Sequence, residues 1–145
     1  MERLLVVVVL AAVAVGVAAL IRARTRSDAP TRPAWAVPDH LDRREFARPE
    51  APWLVAVFSS ATCLACRATW DKARALESDS VAVQELEAVA DADLHARYGV
   101  DAVPLVVVAG PDGTVRASFL GEPPTSELWA AVASARDADG GGAAG

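Results

Sequence analysis

Residues 53–67 read WLVAVFSSATCLACR. The run from Trp53 to Ser59 is short, apolar and rich in β-branched and aromatic residues, which is typical of a strand buried on both faces. Residues 60–62 predict a turn, and a helix is expected from about Cys63 to Leu76. The two cysteines of the chain therefore lie where a buried strand gives way to the start of a helix.

The rest of the domain alternates helices and strands. The first two connections between strands contain predicted helices, so we expect those strands to pair in parallel with right-handed crossovers. The turn at residues 110–113 predicts an antiparallel hairpin. The predicted fold class is α/β, with a mixed central sheet flanked by helices. Besides the elements above, the pattern predicts a short helix at 43–48, strands at 81–89, 105–109 and 114–120, a helix between Asp91 and Gly99, and a last helix from Thr125.

The N-terminus predicts a transmembrane helix. Residues 4–21 are uncharged and contain one glycine, and a helix of this length, at about 1.5 Å per residue, nearly spans a hydrocarbon core of about 30 Å. The alternative is a cleaved signal peptide, whose apolar region is usually about 7–15 residues long. Arginines follow the run where a small-residue cleavage site would be, which favours a retained anchor. We assign residues 1–26 to the anchor and its basic flank.

Composition divides the remaining chain. Residues 27–41 are predicted to be a proline-rich linker, residues 42–136 the folded domain, and residues 137–145 a glycine-rich, disordered tail. From residue 50 onward there are six basic and fourteen acidic residues, a formal net charge of −8, which argues against a nucleic-acid partner. Thirteen of the fourteen basic residues are arginine, a bias that suggests a bacterial genome of high GC content.

The spacing of Cys63 and Cys66 favours redox chemistry. Free amides and the dipole at a helix start would favour a thiolate on Cys63, and Cys66, one turn later, could resolve a mixed disulfide. The alternatives are two ordinary buried cysteines, a purely structural disulfide that closes a very small loop, and a metal site. A zinc site needs four ligands, and only His40 and His95 could complete one. We expect His95 to be an exposed or half-buried helix residue, and no cofactor or metal.

Four features in order resemble the thioredoxin family over residues 42–136. Residues 63–67, Cys-Leu-Ala-Cys-Arg, are similar to its active-site motif, and residues 96–104 to its segment that ends in a cis-proline. Residues 111–115 are similar to its hairpin turn, and Gly121 to the glycine beside its substrate groove. The resemblance implies a thioredoxin-like fold, a cis bond at Val103–Pro104, and a substrate groove formed by Val103, Pro104 and Gly121.

Some positions differ from the family pattern. Thr62 stands where the family usually has tryptophan, and Leu-Ala stands between the cysteines. The buried Asp that the family uses to deprotonate its second cysteine aligns with Val57, and its Lys partner aligns with Glu85. These differences predict that the protein turns over more slowly than a thioredoxin and that it is a dedicated partner protein, not a general reductase.

The leading hypothesis is a membrane-tethered thiol–disulfide oxidoreductase that acts on protein thiols and disulfides, with Cys63 as nucleophile and Cys66 as resolving thiol. It would be monomeric, with a thiol reductase or a transmembrane electron donor as its redox partner. Arg22, Arg24 and Arg26 favour a cytoplasmic domain by the positive-inside rule, whereas tethered thioredoxin-like proteins more often face outward. The alternatives are a non-catalytic binding module with the same fold and a metal carrier that uses the two cysteines.

Overall fold

The computed structural model describes residues 35–140, together with Met1 and Val13, and for residues 139 and 140 the backbone alone. Within this part, helices and strands follow one another in the predicted order. A 3₁₀ turn spans Arg43–Glu45. The strands are β1 (Trp53–Ser59), β2 (Val81–Glu87), β3 (Leu105–Ala109) and β4 (Val115–Leu120), and the helices are α1 (Leu64–Arg74), α2 (Ala92–Arg97) and α3 (Thr125–Gly140).

The strands form one mixed sheet in the order β2-β1-β3-β4. β1 is central and pairs in parallel with β2, so that Val57 lies opposite Glu85. On its other side β1 pairs antiparallel with β3, which in turn pairs antiparallel with β4. All seven residues of β1 are buried, as the continuous apolar run predicts for a strand covered on both faces.

The expected parallel pairing of the second connection is wrong, because β3 runs antiparallel to β1. The helix in that connection, α2, has six residues and is about 9 Å long. A seven-residue strand such as β2 is about 23 Å long, so α2 alone does not span the sheet and does not act as a crossover helix to its opposite end. Consequently β3 starts at the end of the sheet where β1 finishes, with Leu105 opposite Phe58.

Side chains alternate between two cores, one on each face of the sheet. One face carries Val55 and Val57 and is covered by residues of α1 and α3, including Ala73 and Leu128. The other carries Phe58 and is covered by the segment before β1 and by the region of α2. The buried members of this second core are Leu41, Phe46, Ala51, Leu54, Ala56, Phe58, Ala82, Leu86, Val100, Leu105, Val107 and Ala109.

The domain is longer at both ends than the sequence predicts. Leu41, which was assigned to the linker, is fully buried, and its backbone N–H donates to Gly113 at 2.8 Å. The Val115 N–H donates to the Asp39 carbonyl, so the domain begins before the predicted boundary at residue 42. At the other end α3 continues to Gly140. The prediction that the tail is disordered from residue 137 is therefore wrong for residues 137–140, and residues 141–145 lie outside the described part.

Of the predicted transmembrane span, residues 4–21, only Val13 belongs to the described residues. No helix in the described part of the chain is both long enough and apolar enough to cross a membrane.

Candidate redox site

Cys63 and Cys66 form a disulfide at the N-terminus of α1, with their Cα atoms 5.2 Å apart. Cys63 is the N-cap residue, and its Sγ accepts the backbone N–H of Cys66 at 3.1 Å. The first turn of α1 carries no acidic residue, so no carboxylate there opposes the positive end of the helix dipole. The local backbone would therefore stabilise negative charge on the Cys63 sulfur.

The two cysteines differ in their access to solvent. Cys63 is half-buried, whereas Cys66 is 1% exposed. Leu64, which lies between them, is 89% exposed. Solvent therefore reaches the Cys63 sulfur, whereas the Cys66 sulfur is largely shielded from it.

The turn that leads into the disulfide is held by the end of β2. The Glu87 carboxylate accepts the backbone N–H of Ala61 at 3.1 Å, and also those of Val89 and Ala90 at 2.8 and 2.9 Å. These backbone hydrogen bonds, in the order Ala90, Val89 and Ala61, lower the pKa of Glu87 below its usual value of 4.5. Glu87 thus connects the turn that precedes the disulfide to the loop after β2.

A pocket of about 210 Å³ opens beside the disulfide. Glu85 is the one carboxylate that lines it, and the Ser59 hydroxyl donates to Glu85 Oε1 at 2.8 Å. Ser59 is 1% exposed, while Glu85 faces solvent. The pocket is lined by Ser60, Ala61, Cys63, Cys66, Arg67, Trp70 and Glu85.

The three predicted groove residues lie at the end of the sheet where β1 finishes. The Val103–Pro104 peptide bond is cis, and the Pro104 carbonyl accepts the Gly121 N–H at 2.8 Å. The structure thus brings Pro104 and Gly121 together, while Val103 packs against the core around Phe58. They are not among the residues that line the pocket described above.

Both histidines bind backbone carbonyl groups. His40 Nε2 lies 2.9 Å from the Asp112 carbonyl, and His95 Nε2 lies 2.9 Å from that of Leu86. His95 is 8% exposed and packs edge-on against Phe58, so the prediction that it is exposed or half-buried is wrong. Among the described residues no group of three or more His, Cys, Asp or Glu side chains is arranged to hold a metal.

Sequence reasoning missed Ser59 and Glu87. Ser59 ends β1 with the same side-chain direction as Val57, and the parallel register of β1 with β2 brings it within reach of Glu85. The sequence alone does not give this register, so it could not predict the hydrogen bond between Ser59 and Glu85. Glu87 could have been suspected from its position at the end of a strand, where backbone N–H groups of a following loop need acceptors.

The structure is similar to those of thioredoxins. A mutant thioredoxin from Halobacterium salinarum matches with a TM-score of 0.53 and 23% identity, covering 59% of this chain and 76% of that one. The thioredoxin of Fasciola hepatica matches with a TM-score of 0.51 and 24% identity, covering 58% and 81%. That of Malassezia sympodialis matches with a TM-score of 0.50 and 19% identity, covering 58% and 75%. No protein-family model and no curated protein matches the chain. The chain therefore has the thioredoxin-like fold, with a mixed four-stranded sheet.

Proposed function

We propose that this chain, which has the thioredoxin-like fold, is a thiol–disulfide oxidoreductase that exchanges disulfides with protein substrates through Cys63 and Cys66. The observation that carries the proposal is the asymmetry of the pair. Cys63 caps a helix and is half-buried, whereas Cys66, one turn further on, is 1% exposed.

The asymmetry assigns different roles to the two sulfurs. In the reduced protein the Cys63 thiolate, favoured by the Cys66 N–H and the helix dipole, would attack a substrate disulfide. A mixed disulfide forms with one substrate sulfur, and the other leaves as a thiolate. Cys66 then attacks the Cys63 sulfur, the reduced substrate leaves, and the Cys63–Cys66 disulfide forms. Two electrons pass to the substrate, and a dithiol reductant must return them to the protein.

Two exposed features of the chain support a polypeptide substrate. Leu64 projects into solvent between the cysteines, so it offers an apolar contact at the point of attack. Gly121, whose φ is +90°, has no atom within 4 Å of where a Cβ would lie, and the chain is thus open beside Pro104. These features fit the groove that the sequence resemblance implies. No cofactor besides the disulfide is part of the proposal.

The proposal also includes attachment to the cell membrane. Residues 4–21 would form a single-pass anchor, and Arg22, Arg24 and Arg26 favour a cytoplasmic domain; the alternative is an extracytoplasmic domain. A cytoplasmic domain would take electrons from a soluble thiol reductase, and an outward-facing one from a transmembrane electron donor. Labelling Cys63 and Cys66 in intact bacterial cells with a membrane-impermeant maleimide, after mild reduction, separates the two orientations.

The experiment that tests the redox function is the reduction potential of the Cys63–Cys66 pair in the full-length protein, measured by equilibration with dithiothreitol. A single reversible two-electron transition supports a working redox pair. Its potential, within the range of about −270 to −120 mV that such proteins cover, indicates whether the protein reduces or oxidises its substrates. Absence of any reversible transition would remove the basis of the proposal.

Val57 favours a second candidate function, a non-catalytic binding module. Its side chain is apolar and fully buried on β1, and β1 carries no titratable residue. Under this alternative the protein would hold a partner through the surface near Pro104 and Gly121. Replacing both cysteines by alanine would then leave partner binding intact, whereas an oxidoreductase would lose its mixed disulfides.

A further inference from the structure

We infer that Glu85, oriented by Ser59, exchanges the proton of Cys66 in the resolving step. The inference rests on the proposed redox function, and it concerns a step that this function requires. Once the Cys63–Cys66 disulfide is reduced, Cys66 must lose a proton before its sulfur can attack a mixed disulfide. Because Cys66 is 1% exposed, bulk solvent does not reach its sulfur freely, and the proton needs an acceptor close by.

Glu85 is placed to accept that proton. It is the one carboxylate that lines the pocket in which Cys66 lies. The pocket volume of about 210 Å³ is large enough for ordered water, since one water takes about 30 Å³. A water molecule between the Cys66 sulfur and the Glu85 carboxylate could therefore carry the proton. Glu85 itself is exposed to solvent, so the same side chain connects the buried sulfur to the bulk.

Ser59 holds one oxygen of the exposed Glu85 carboxylate at the pocket beside the disulfide. Its hydroxyl is buried and donates to Glu85 Oε1 at 2.8 Å, which leaves Oε2 as an acceptor. Both residues belong to the sheet face on which α1 packs, since Ser59 alternates with Val57 and Val55 along β1. Ser59 is thus a positioning residue for Glu85.

The charged and titratable groups around Glu85 come from two elements. The α1 region contributes Cys63, Cys66 and Arg67, which line the same pocket. β2 itself contributes Glu87, two residues further along. β1 contributes none, because residues 53–59 contain no titratable side chain. Within the described residues Arg67 makes no ion pair with Glu85, although both side chains line the pocket.

With Glu85 as the acceptor, every proton of the resolving step has a donor and an acceptor. In the resolving step the Cys66 S–H bond breaks and the proton passes to the Glu85 carboxylate. The Cys66 thiolate forms a bond with the Cys63 sulfur as the bond from Cys63 to the substrate sulfur breaks. The departing substrate thiolate then takes a proton from solvent, and Glu85 releases its own. In the reverse direction Glu85 would protonate Cys66 as the disulfide opens.

The test uses full-length protein, reduced with dithiothreitol, freed of reductant, and mixed rapidly with the aromatic disulfide 5,5′-dithiobis(2-nitrobenzoate). Attack by Cys63 releases one coloured thiolate and leaves a mixed disulfide, and attack by Cys66 then releases the second. The second phase measures the resolving step alone. The Cys66→Ser variant, which should show the first phase only, verifies the assignment of the phases.

We expect Glu85→Gln to slow the second phase on the order of 10²-fold near neutral pH, as loss of a general base does, and to leave the first phase unchanged. The defect should shrink as the pH rises, because hydroxide then deprotonates Cys66 directly. Glu85→Asp should restore part of the rate, and Ser59→Ala should show a smaller defect of the same kind. The matched control is Glu127→Gln, an exposed glutamate in the first turn of α3, which should behave as the wild type.

A second phase in Glu85→Gln that equals the wild-type rate at every pH would overturn the inference. A defect independent of pH would also overturn it, since that outcome indicates a structural role. Failure of the proposed redox function gives a different result, because the wild-type protein would then not release a second thiolate at all.

Discussion

The carboxylate of Glu87 accepts the backbone N–H of Ala61, and so connects the end of β2 to the turn that precedes Cys63. The same carboxylate accepts two N–H groups of the loop after β2. A single side chain therefore accepts backbone N–H groups from two segments, the turn before Cys63 and the loop after β2. Because the ionised carboxylate is the stronger acceptor, the stability of these hydrogen bonds depends on pH.

Acid should loosen this turn before it unfolds the domain. The pKa of Glu87 is lowered in the folded protein by its backbone hydrogen bonds, so the folded state favours the ionised form. The stabilisation is present above the unfolded value of 4.5, and is lost as the pH falls through the lowered folded value. We expect hydrogen exchange of the Ala61, Val89 and Ala90 amides to become faster, relative to intrinsic exchange, across that interval.

The variant Glu87→Gln should remove this dependence. Glutamine keeps one oxygen acceptor but has no charge, so the three amides should exchange faster at neutral pH and show little further change on acidification. Glu77→Gln, at an exposed position after α1, serves as the control. Equal protection of the three amides in wild type and Glu87→Gln would contradict the role of Glu87 as the acceptor that fixes the turn.

A second prediction concerns Arg43, which is 7% exposed. Its guanidinium donates to four backbone carbonyls, those of Arg48, Ala51, Pro52 and Gly110. Burial lowers the pKa of Arg43, an effect that Glu50 partly opposes. Arg43→Met keeps an apolar stem but leaves these carbonyls without their donor, so we expect a loss of about 2–4 kcal/mol in the free energy of unfolding.

Arg44→Met is the matched control for Arg43, because the neighbouring arginine is exposed and pairs with Asp42 at the surface. Its unfolding transition in urea should stay close to that of the wild type. Equal stabilities of Arg43→Met and Arg44→Met would show that the buried hydrogen bonds of Arg43 contribute little.

The sequence predicts correctly those structural features that depend only on neighbouring residues along the chain. The bounds of β1 agree with prediction, because a continuous apolar run between polar residues leaves little choice of ends. The direction of β3 could not be predicted in the same way, since it depends on the path of the chain around α2. The burial of His95 depends on a carbonyl of Leu86 and the ring of Phe58, which lie on other elements.

In the candidate site, too, some features could be predicted from the sequence and others depend on how the strands pair. The sequence alone indicates Cys63 and Cys66, because their spacing at a strand-to-helix junction has a chemical meaning of its own. The contact between Ser59 and Glu85 exists only in the register of two parallel strands. A sequence pattern states which face each residue occupies but not how far one strand is shifted along the other.

A third prediction compares two glycines that both have positive φ. Gly113 has a φ of +83°, and a Cβ there would lie 2.1 Å from the Leu41 carbonyl oxygen. Gly121 has a φ of +90° and open space around it. Gly121→Ala should therefore cost about 1–2 kcal/mol, the conformational penalty alone, and Gly113→Ala more, since it also displaces the segment around Leu41. Urea denaturation of both variants measures the difference, and equal losses would contradict the close approach at Gly113.

The last prediction concerns Leu64, which is 89% exposed beside the disulfide. If a polypeptide substrate covers this side chain, Leu64→Ser should raise KM for a protein disulfide such as insulin roughly tenfold, because burying a leucine contributes about 1.5–3 kcal/mol when complete. Leu64→Met, which preserves an apolar surface, should behave nearly as the wild type. The rate with a small aromatic disulfide should be the same in all three proteins, since such a substrate needs only the Cys63 sulfur. A parallel loss of activity on both substrates would instead indicate that Leu64 supports the helix start, and equal KM values for insulin would mean that protein substrates approach Cys63 from another side.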